Sequence, residues 1–142
     1  MILLDAYALV AFLADEPAAE EVDQLLRGGQ TAITVANLAE AIDVTQRVHR
    51  AAADQVRDAV EPLLGDALGV ITLSEETAWA AADIRIRHYH RTARPLSLAD
   101  CFLIAAAGDD DSVATADGPV AEAARAEGIA VHALPDSGGS RP

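Results

Sequence analysis

Short apolar runs alternate along the chain with longer segments of helical periodicity. Residues 1–4 form an unbroken apolar run, which is typical of a parallel strand buried on both faces. Residues 35–49 instead repeat apolar side chains at the three- and four-residue spacing of an amphipathic helix. Strands that alternate with helices predict an α/β fold with an open parallel sheet and helices on both faces.

Capping and helix-breaking residues set the boundaries of these elements. Ser74 and Ser97 are favourable N-caps, and Pro95 cannot continue the helix before it. The predicted strands are residues 1–4, 31–34, 70–73, 112–114 and 129–132. The predicted helices are residues 6–14, 18–27, 35–49, 52–64, 74–91, 97–108 and 118–127.

A length of 142 residues predicts one domain. We place this domain at residues 1–133 and expect residues 134–142, which contain two glycines and two prolines, to be a flexible C-terminal tail. The hydrophobic fraction is 51%, and 32 of the residues are alanines, a composition suited to close-packed helices. The single cysteine, Cys101, excludes a disulfide framework and a cysteine-rich zinc site.

The charge narrows the possible functions. The net charge is −13, and all ten basic residues are arginines. The absence of lysine excludes P-loop nucleotide binding, Schiff-base catalysis and a phospho-acceptor receiver site. Because an acidic protein repels nucleic acid, an RNA substrate would require a bound cation and a local basic patch.

The first residues do not look like a targeting segment. Asp5 follows the apolar start at once and no basic region precedes it, so we expect no signal peptide. No apolar run approaches the roughly 20 residues of a membrane span, so we expect a cytoplasmic protein that does not associate with a membrane.

Four acidic residues lie where the predicted fold would gather them. Asp5 ends the first strand, Asp117 follows the fourth, Asp100 lies in the first turn of a helix, and Glu40 lies one to two turns into another. Ligands of such sheets bind beyond the carboxyl ends of the strands, and carboxylates suit magnesium or manganese. The residues alone also allow a structural interpretation, in which Asp5 and Asp117 are N-caps, Asp100 is ordinary helix-terminal charge and Glu40 is solvated.

Four blocks in order carry a resemblance to a known family. They are Ile-Leu-Leu-Asp-Ala-Tyr-Ala-Leu at residues 2–9, Ala-Asn-Leu-Ala-Glu-Ala at 36–41, Leu-Ser-Leu-Ala-Asp-Cys-Phe-Leu-Ile-Ala at 96–105 and Ala-Thr-Ala-Asp-Gly-Pro at 114–119. With these blocks the chain resembles the PIN-domain family over nearly its whole length, and in particular the VapC-type toxin ribonucleases of bacterial toxin–antitoxin pairs.

The resemblance implies a five-stranded parallel sheet of order 3-2-1-4-5 and an endoribonuclease that depends on Mg²⁺, with Mn²⁺ as a possible substitute. It also implies a homodimer and a cognate antitoxin. Asp5, Glu40, Asp100 and Asp117 match the catalytic acids of the family. Asp5, Asp100 and Asp117 are the expected metal ligands, Glu40 is a ligand or orients the attacking water, and Thr115 matches a supporting polar residue.

Tyr7 departs from the family pattern, because relatives often carry Ser, Asn or His at this position. A phenol can hydrogen-bond a carboxylate or water, turn into the core or stack on a base. The first helix, which also carries Leu9 and Phe12, is apolar nearly all round, and this surplus suggests a surface for a partner.

The only dense basic stretch precedes Asp100. It can hold RNA phosphates beside the metal, or it can be a solvated helix face. Its candidate RNA-binding residues are Arg85, Arg87, Arg91 and Arg94.

Two functions of other classes remain open. One is a catalytically silent PIN-domain protein that binds RNA or acts as a scaffold. The intact set of four acids argues against this alternative. The other is a metal-dependent phosphatase with an Asp nucleophile, which usually needs a second Asp where Tyr7 stands.

Overall fold

The computed structural model describes residues 1–142 and contains one five-stranded parallel sheet. The strand order is β3-β2-β1-β4-β5, which confirms the predicted topology. The strands are β1 (Ile2–Leu4), β2 (Thr31–Thr34), β3 (Leu68–Ile71), β4 (Ser112–Thr115) and β5 (Ala130–Ala133). The order reverses between β1 and β4, so a crevice opens beyond the carboxyl ends of these two strands.

Seven helices connect and cover the strands. They are α1 (Ala6–Leu13), α2 (Ala19–Arg27), α3 (Val35–Arg47), α4 (Ala53–Val60), α5 (Glu75–His88), α6 (Leu98–Ala106) and α7 (Gly118–Ala126). A short 3₁₀ turn, Glu61–Leu63, extends α4 where Pro62 removes a backbone donor. None of these helices combines the length and the apolar character that crossing a bilayer requires.

The sheet separates two hydrophobic cores, and neighbouring residues of one strand face opposite cores. Leu4 and Ala114 pack with α1 and α2 on one face, whereas Leu3 and Val113 pack with α5, α6 and α7 on the other. Helices therefore cover both faces, as predicted.

Two sequence expectations differ from the structure. The third strand spans Leu68–Ile71 rather than residues 70–73, because Leu68 pairs with Thr31 and is fully buried while Val70 on this edge strand is exposed. Of the apolar residues of α1, Leu9 is completely buried and belongs to the core, whereas Phe12 is only partly buried against the same cluster, so a partner surface on this helix excludes Leu9 and otherwise stays a prediction.

The flexibility predicted for residues 134–142 stays a prediction, although this segment makes specific contacts. Leu134 is fully buried, and its N–H donates to the carbonyl of Thr115 over 2.9 Å. Arg141 pairs with Glu21 of α2 at 2.8 Å. These contacts lay the segment along α2 and the end of β4.

Candidate metal centre

The carboxyl ends of β1 and β4 bring the first and last of the four acids to the same edge of the sheet. Leu4 pairs with Ala114, so Asp5 and Thr115 are the next residues of the two neighbouring strands. The Thr115 hydroxyl donates to the Asp5 carboxylate and also accepts the backbone N–H of Asp117 over 3.0 Å. Thr115, predicted as a supporting residue, thus connects the two acids.

Three of the four acids cap helices. Asp5 Oδ1 accepts the N–H of Ala8 at 2.9 Å, and Asp117 Oδ1 accepts that of Val120 at 3.1 Å. Asp100 forms a capping box with Ser97, in which Asp100 Oδ2 accepts the Ser97 N–H at 2.7 Å.

The structural interpretation of these acids is therefore correct, and it does not exclude a site. The N-termini of α1, α6 and α7 each present a positive dipole end to a carboxylate, which makes a cluster of acids tolerable. The caps also leave ligand atoms: Asp100 Oδ1 and Asp117 Oδ2 accept no hydrogen bond from the protein.

Glu40 reaches the same cluster from α3. Its Oε2 atom is buried and has no hydrogen-bond partner. Burial raises the pKa of Glu40, and the charge of Asp100 raises it further. Glu40 is therefore a half-buried carboxylate that faces another carboxylate rather than solvent or a cation.

Burial and the charges of neighbouring acids both disfavour the charged forms of Asp5, Glu40 and Asp100. Burial raises the pKa of Asp5 to about 7 against the opposing hydrogen bonds from Thr115 and Ala8, and the charges of Asp100 and Asp117 add to the increase. Burial likewise raises the pKa of Asp100, which Asp117 also raises. No arginine or histidine forms an ion pair with any of the four carboxylates.

The chemistry of this cluster fits a hard divalent cation. Its donors are all carboxylate oxygens, and the unpaired buried Oε2 of Glu40 is an acceptor that a cation or its water would satisfy. In the conformation described, no three His, Cys, Asp or Glu side chains are arranged to hold one ion. The helix caps account for this spacing, because they direct one oxygen of each aspartate toward backbone N–H groups.

The basic stretch does not act as one surface. Arg87 forms a bidentate ion pair with Glu127, which ends α7 about 15 Å from Asp117 by helix rise, and Arg94 pairs with Glu122. Arg85 contacts the segment just before α6: its Nε donates to the Leu96 carbonyl, and its guanidinium stacks 4.5 Å from the centre of the Tyr89 ring.

Arg91 is exposed and makes no ion pair. Arg85 and Arg91 therefore form no ion pair, and their charges remain available. The charges of Arg87 and Arg94 are neutralised by the glutamates of α7 and its C-terminal end. A role of these arginines in RNA binding stays a prediction.

Tyr7 turns away from the acids. Its hydroxyl donates to the carbonyl of Pro135 over 3.3 Å, and its ring packs against the core. Of the open alternatives, the structure favours the one in which the phenol faces the core.

One buried polar residue at the site escaped the sequence analysis. Asn37 is completely buried in the first turn of α3, and its Nδ2 atom has no partner. A polar residue three positions before Glu40, in the first turn of a helix whose core-facing positions also include Ala41, was the available signal.

A sequence model of the PIN domain matches residues 2–126. Among solved structures, the chain is similar to VapBC2 from Rickettsia felis bound to a DNA fragment from its promoter, with 16% identity, a TM-score of 0.62 and coverage of 93% of this chain and 98% of that one. It is also similar to FitAcB from Neisseria gonorrhoeae, with 23% identity, a TM-score of 0.59 and coverage of 92% and 96%. A toxin–antitoxin complex from Klebsiella pneumoniae shares 19% identity, a TM-score of 0.58 and coverage of 82% and 87%.

These identities are low, so the structural likeness shows a shared fold. No curated protein matches the chain. The family match spans both strands and all four helices that carry the acidic cluster. With its sheet order and the position of its acids, the chain belongs to the PIN domain family.

Proposed function

We propose that the protein is a magnesium-dependent endoribonuclease toxin of the VapC type, acting in the cytoplasm and neutralised by a cognate antitoxin. The observation that carries this proposal is the acidic cluster itself. Asp5, Glu40, Asp100 and Asp117 are held at one sheet edge with no basic side chain to pair with them, and burial disfavours the charged forms of the first three. A fold retains such a cluster at a functional site.

Asp100 and Asp117 would hold the ion through the oxygens that the helix caps leave free, and Asp5 through Oδ2, which also accepts the Thr115 hydroxyl. A bound Mg²⁺ or Mn²⁺ supplies neutralisation of a phosphodiester oxygen and a lower pKa of its bound water. Thr115 fixes Asp5 in place with its hydroxyl, and the N-termini of α6 and α7 set the directions of Asp100 and Asp117.

Glu40 is suited to orient the attacking water. Its carboxylate can accept a proton from that water, and its raised pKa makes it a better base than an exposed carboxylate. No histidine lies in the cluster, so general-base chemistry falls to a carboxylate.

The protein has a net charge of −13, which repels RNA, so RNA needs local positive charge near this site. Arg85 is held at the Leu96 carbonyl just before α6 and, like Arg91, forms no ion pair, so these two are the side chains we expect to contact phosphates. Single-stranded or loop RNA fits best, because its flexible backbone can approach a recessed carboxylate site.

The neutralising partner is expected to use arginine. A carboxylate cluster without cations pairs well with the bidentate fork of a guanidinium, which would also exclude the metal. The solved structure from Klebsiella pneumoniae is a toxin–antitoxin complex of the same fold, which supports a protein partner.

A homodimer is part of the proposal. Trp79, Ile86 and Tyr89 form an exposed apolar stripe on α5, which Leu98 at the start of α6 extends. Ile86 is 81% exposed and Trp79 is 69% exposed, unusual values for such large apolar side chains. Covering this stripe with a second copy would bring two acidic clusters into one assembly.

The test is cleavage of an end-labelled single-stranded RNA. The purified protein should cut in Mg²⁺ or Mn²⁺, stop when the metal is chelated, and resume when the metal is restored, and Asp117→Asn should not cut. Addition of the small protein encoded by the neighbouring reading frame should block cleavage. Cleavage that persists equally in chelator would refute the metal-dependent mechanism.

One observation favours a second candidate, a catalytically silent RNA-binding or scaffold protein. No three acids are arranged to hold an ion in the conformation described. This alternative predicts RNA binding that is unchanged in chelator and in Asp117→Asn, with no cleavage under any metal condition.

A further inference from the structure

Asn37 is a completely buried polar side chain near the acids that the mechanism does not use. Its backbone N–H donates to the Thr34 hydroxyl at 3.1 Å, and this hydroxyl donates in turn to Asn37 Oδ1. Thr34 is the N-cap of α3 and ends β2. Since Leu4 pairs with Ile33, Thr34 lies beside Asp5 at the carboxyl edge of the sheet.

These hydrogen bonds fix the direction of the Asn37 amide. The Thr34 hydroxyl accepts from the Asn37 backbone, so its own hydrogen needs an acceptor, and Asn37 Oδ1 is that acceptor. Rotating the amide by half a turn would leave both this hydrogen and Oδ1 unpaired. The Nδ2 group therefore points away from Thr34, and it has no partner although it is buried.

An unpaired acceptor lies on the same face of α3. Glu40 follows Asn37 by three residues, and helix positions so related have Cβ atoms about 5–6 Å apart. Glu40 Oε2 is also buried without a partner. An unpaired donor, Asn37 Nδ2, thus lies one helix turn from an unpaired acceptor, Glu40 Oε2, at the acidic cluster. Burying both groups without a hydrogen bond is unfavourable.

We infer that Asn37 is a positioning residue for Glu40. Because the two side chains make no direct hydrogen bond, the Nδ2–H donates to the Glu40 carboxylate through one bridging water and so holds that carboxylate toward Asp100 and the site. Thr34 orients Asn37, so the N-cap of α3 and the orientation of Glu40 are parts of one hydrogen-bonded chain. The role in catalysis rests on the proposed function, whereas the pairing itself does not.

The first test is a double-variant cycle of melting temperature in chelator, with Asn37→Leu, Glu40→Ala and the double variant. Leucine keeps the branched shape of asparagine, although it is larger, and removes both the Nδ2 donor and the Oδ1 acceptor of the Thr34 hydroxyl. We expect the loss in melting temperature of the double variant to be smaller than the sum of the two single losses, because each single variant already breaks the pair. Gln46→Leu is the matched control: it removes another amide from α3, one that donates to the Ile42 carbonyl, and its effect should add to that of Glu40→Ala.

Strictly additive losses for Asn37→Leu would overturn the inference, and this outcome does not depend on any nuclease activity. If Asn37→Leu does not fold, Asn37→Ala replaces it in the cycle, because alanine has no side-chain N–H to donate and adds no charge beside Glu40.

The second test is kinetic. Asn37→Leu should lower kcat for RNA cleavage by about tenfold or more, as for groups that orient metal-site residues, and leave the KM for RNA unchanged. Its loss should vanish in a Glu40→Gln background that retains measurable cleavage. A wild-type kcat in Asn37→Leu would refute the positioning role, whereas absence of cleavage by the wild type would refute the proposed function and leave the melting cycle as the deciding test.

Discussion

The acidic residues at the carboxyl edge of the sheet differ from those elsewhere on the molecule in the partners they have. Glu127 pairs with Arg87 and His88, and Glu21 pairs with Arg141 and His132, and these partners lower the pKa of both carboxylates. Asp5, Glu40 and Asp100 have no cation, and burial and neighbouring acids raise their pKa values. Carboxylates with a lowered pKa therefore stabilise the fold in their charged form, whereas carboxylates with a raised pKa destabilise it in their charged form.

This difference in partners shows how an acidic protein can keep a carboxylate site that acts on RNA, a polyanion. With 23 acidic and 10 basic residues, arginines are scarce, and most of those near α7 are used in ion pairs with its glutamates. The acids of the cluster are compensated instead by the N-termini of α1, α6 and α7, which stabilise negative charge without blocking the carboxylate oxygens as an arginine would.

The largest difference between the two groups of acids should appear in catalysis. Asp5→Asn, Asp100→Asn and Asp117→Asn should each lower RNA cleavage by more than ~100-fold, since even groups behind the metal ligands contribute 10–100-fold. Glu127→Gln, which removes a charge from a paired acid, should cleave within about twofold of wild type at a temperature well below its melting point. Initial rates with end-labelled RNA in 10 mM Mg²⁺ measure this, and near wild-type rates in two of the three aspartate variants would show that the site is wrongly assigned.

The second difference concerns stability against pH in chelator. The pKa of Asp5 is higher in the folded state than in the unfolded state, so its charged form opposes folding: the loss begins above pH 4 and is complete above about pH 7. Asp5→Asn should therefore gain stability relative to wild type as pH rises from 4 to 8, by an amount on the order of 4 kcal/mol at most. Urea denaturation at these pH values measures it.

Glu127→Gln should show the opposite trend in the same experiment. The lowered pKa of Glu127 means that its stabilising effect is present above the pKa of the unfolded state and is lost as pH falls through the folded-state pKa. The variant should thus be less stable than wild type at pH 7 and approach it in acid. Parallel pH trends in the two variants would contradict the distinction between the two groups.

A third, smaller effect is the response of stability to a cation. If Mg²⁺ binds only the folded state with a millimolar dissociation constant, 10 mM raises the free energy of unfolding by about 1.4 kcal/mol. This corresponds to a melting temperature roughly 3–6 °C higher. Asp117→Asn should lose the response, and Ca²⁺ should stabilise the wild type without supporting much cleavage. Equal shifts in wild type and Asp117→Asn would place the bound ion elsewhere.

The smallest effects should come from the basic stretch. Arg85→Gln should reduce the slope of log affinity against log salt for an uncleaved RNA, measured with Asp100→Asn protein, by about 1. Arg87→Gln should leave this slope unchanged and lower the melting temperature instead, because Arg87 is engaged by Glu127. The opposite result would mean that the far end of α7, rather than the start of α6, contacts the phosphates.

The sheet order and the position of the acids could be predicted because they depend on features local in sequence. Apolar runs and capping residues mark β1, β4 and the helices after them, and the resemblance supplies the order. The shift of β3 could not be predicted, since Leu68 and Val70 are equally apolar and only pairing with β2 shows which of them is buried.

The parts of the site that escaped prediction depend on contacts between distant residues. Arg87 and Glu127 are 40 residues apart, so nothing local in the sequence shows that the arginine is neutralised. Asn37 looked like one polar residue within a helix, and only its burial and its unpaired Nδ2 show that it belongs with Glu40. The sequence also did not show that Asp5 is both a helix cap and a member of the cluster, because its contact with Thr115 joins residues far apart in sequence.

Direct counting of bound Mn²⁺ by EPR spectroscopy tests the central claim, that the acids at the carboxyl edge form a divalent-cation site. Wild type and Glu127→Gln should each bind at least one ion per chain, and Asp100→Asn should bind it at least tenfold more weakly. Failure of the wild type to bind Mn²⁺, or equal affinity in Asp100→Asn, would contradict the account.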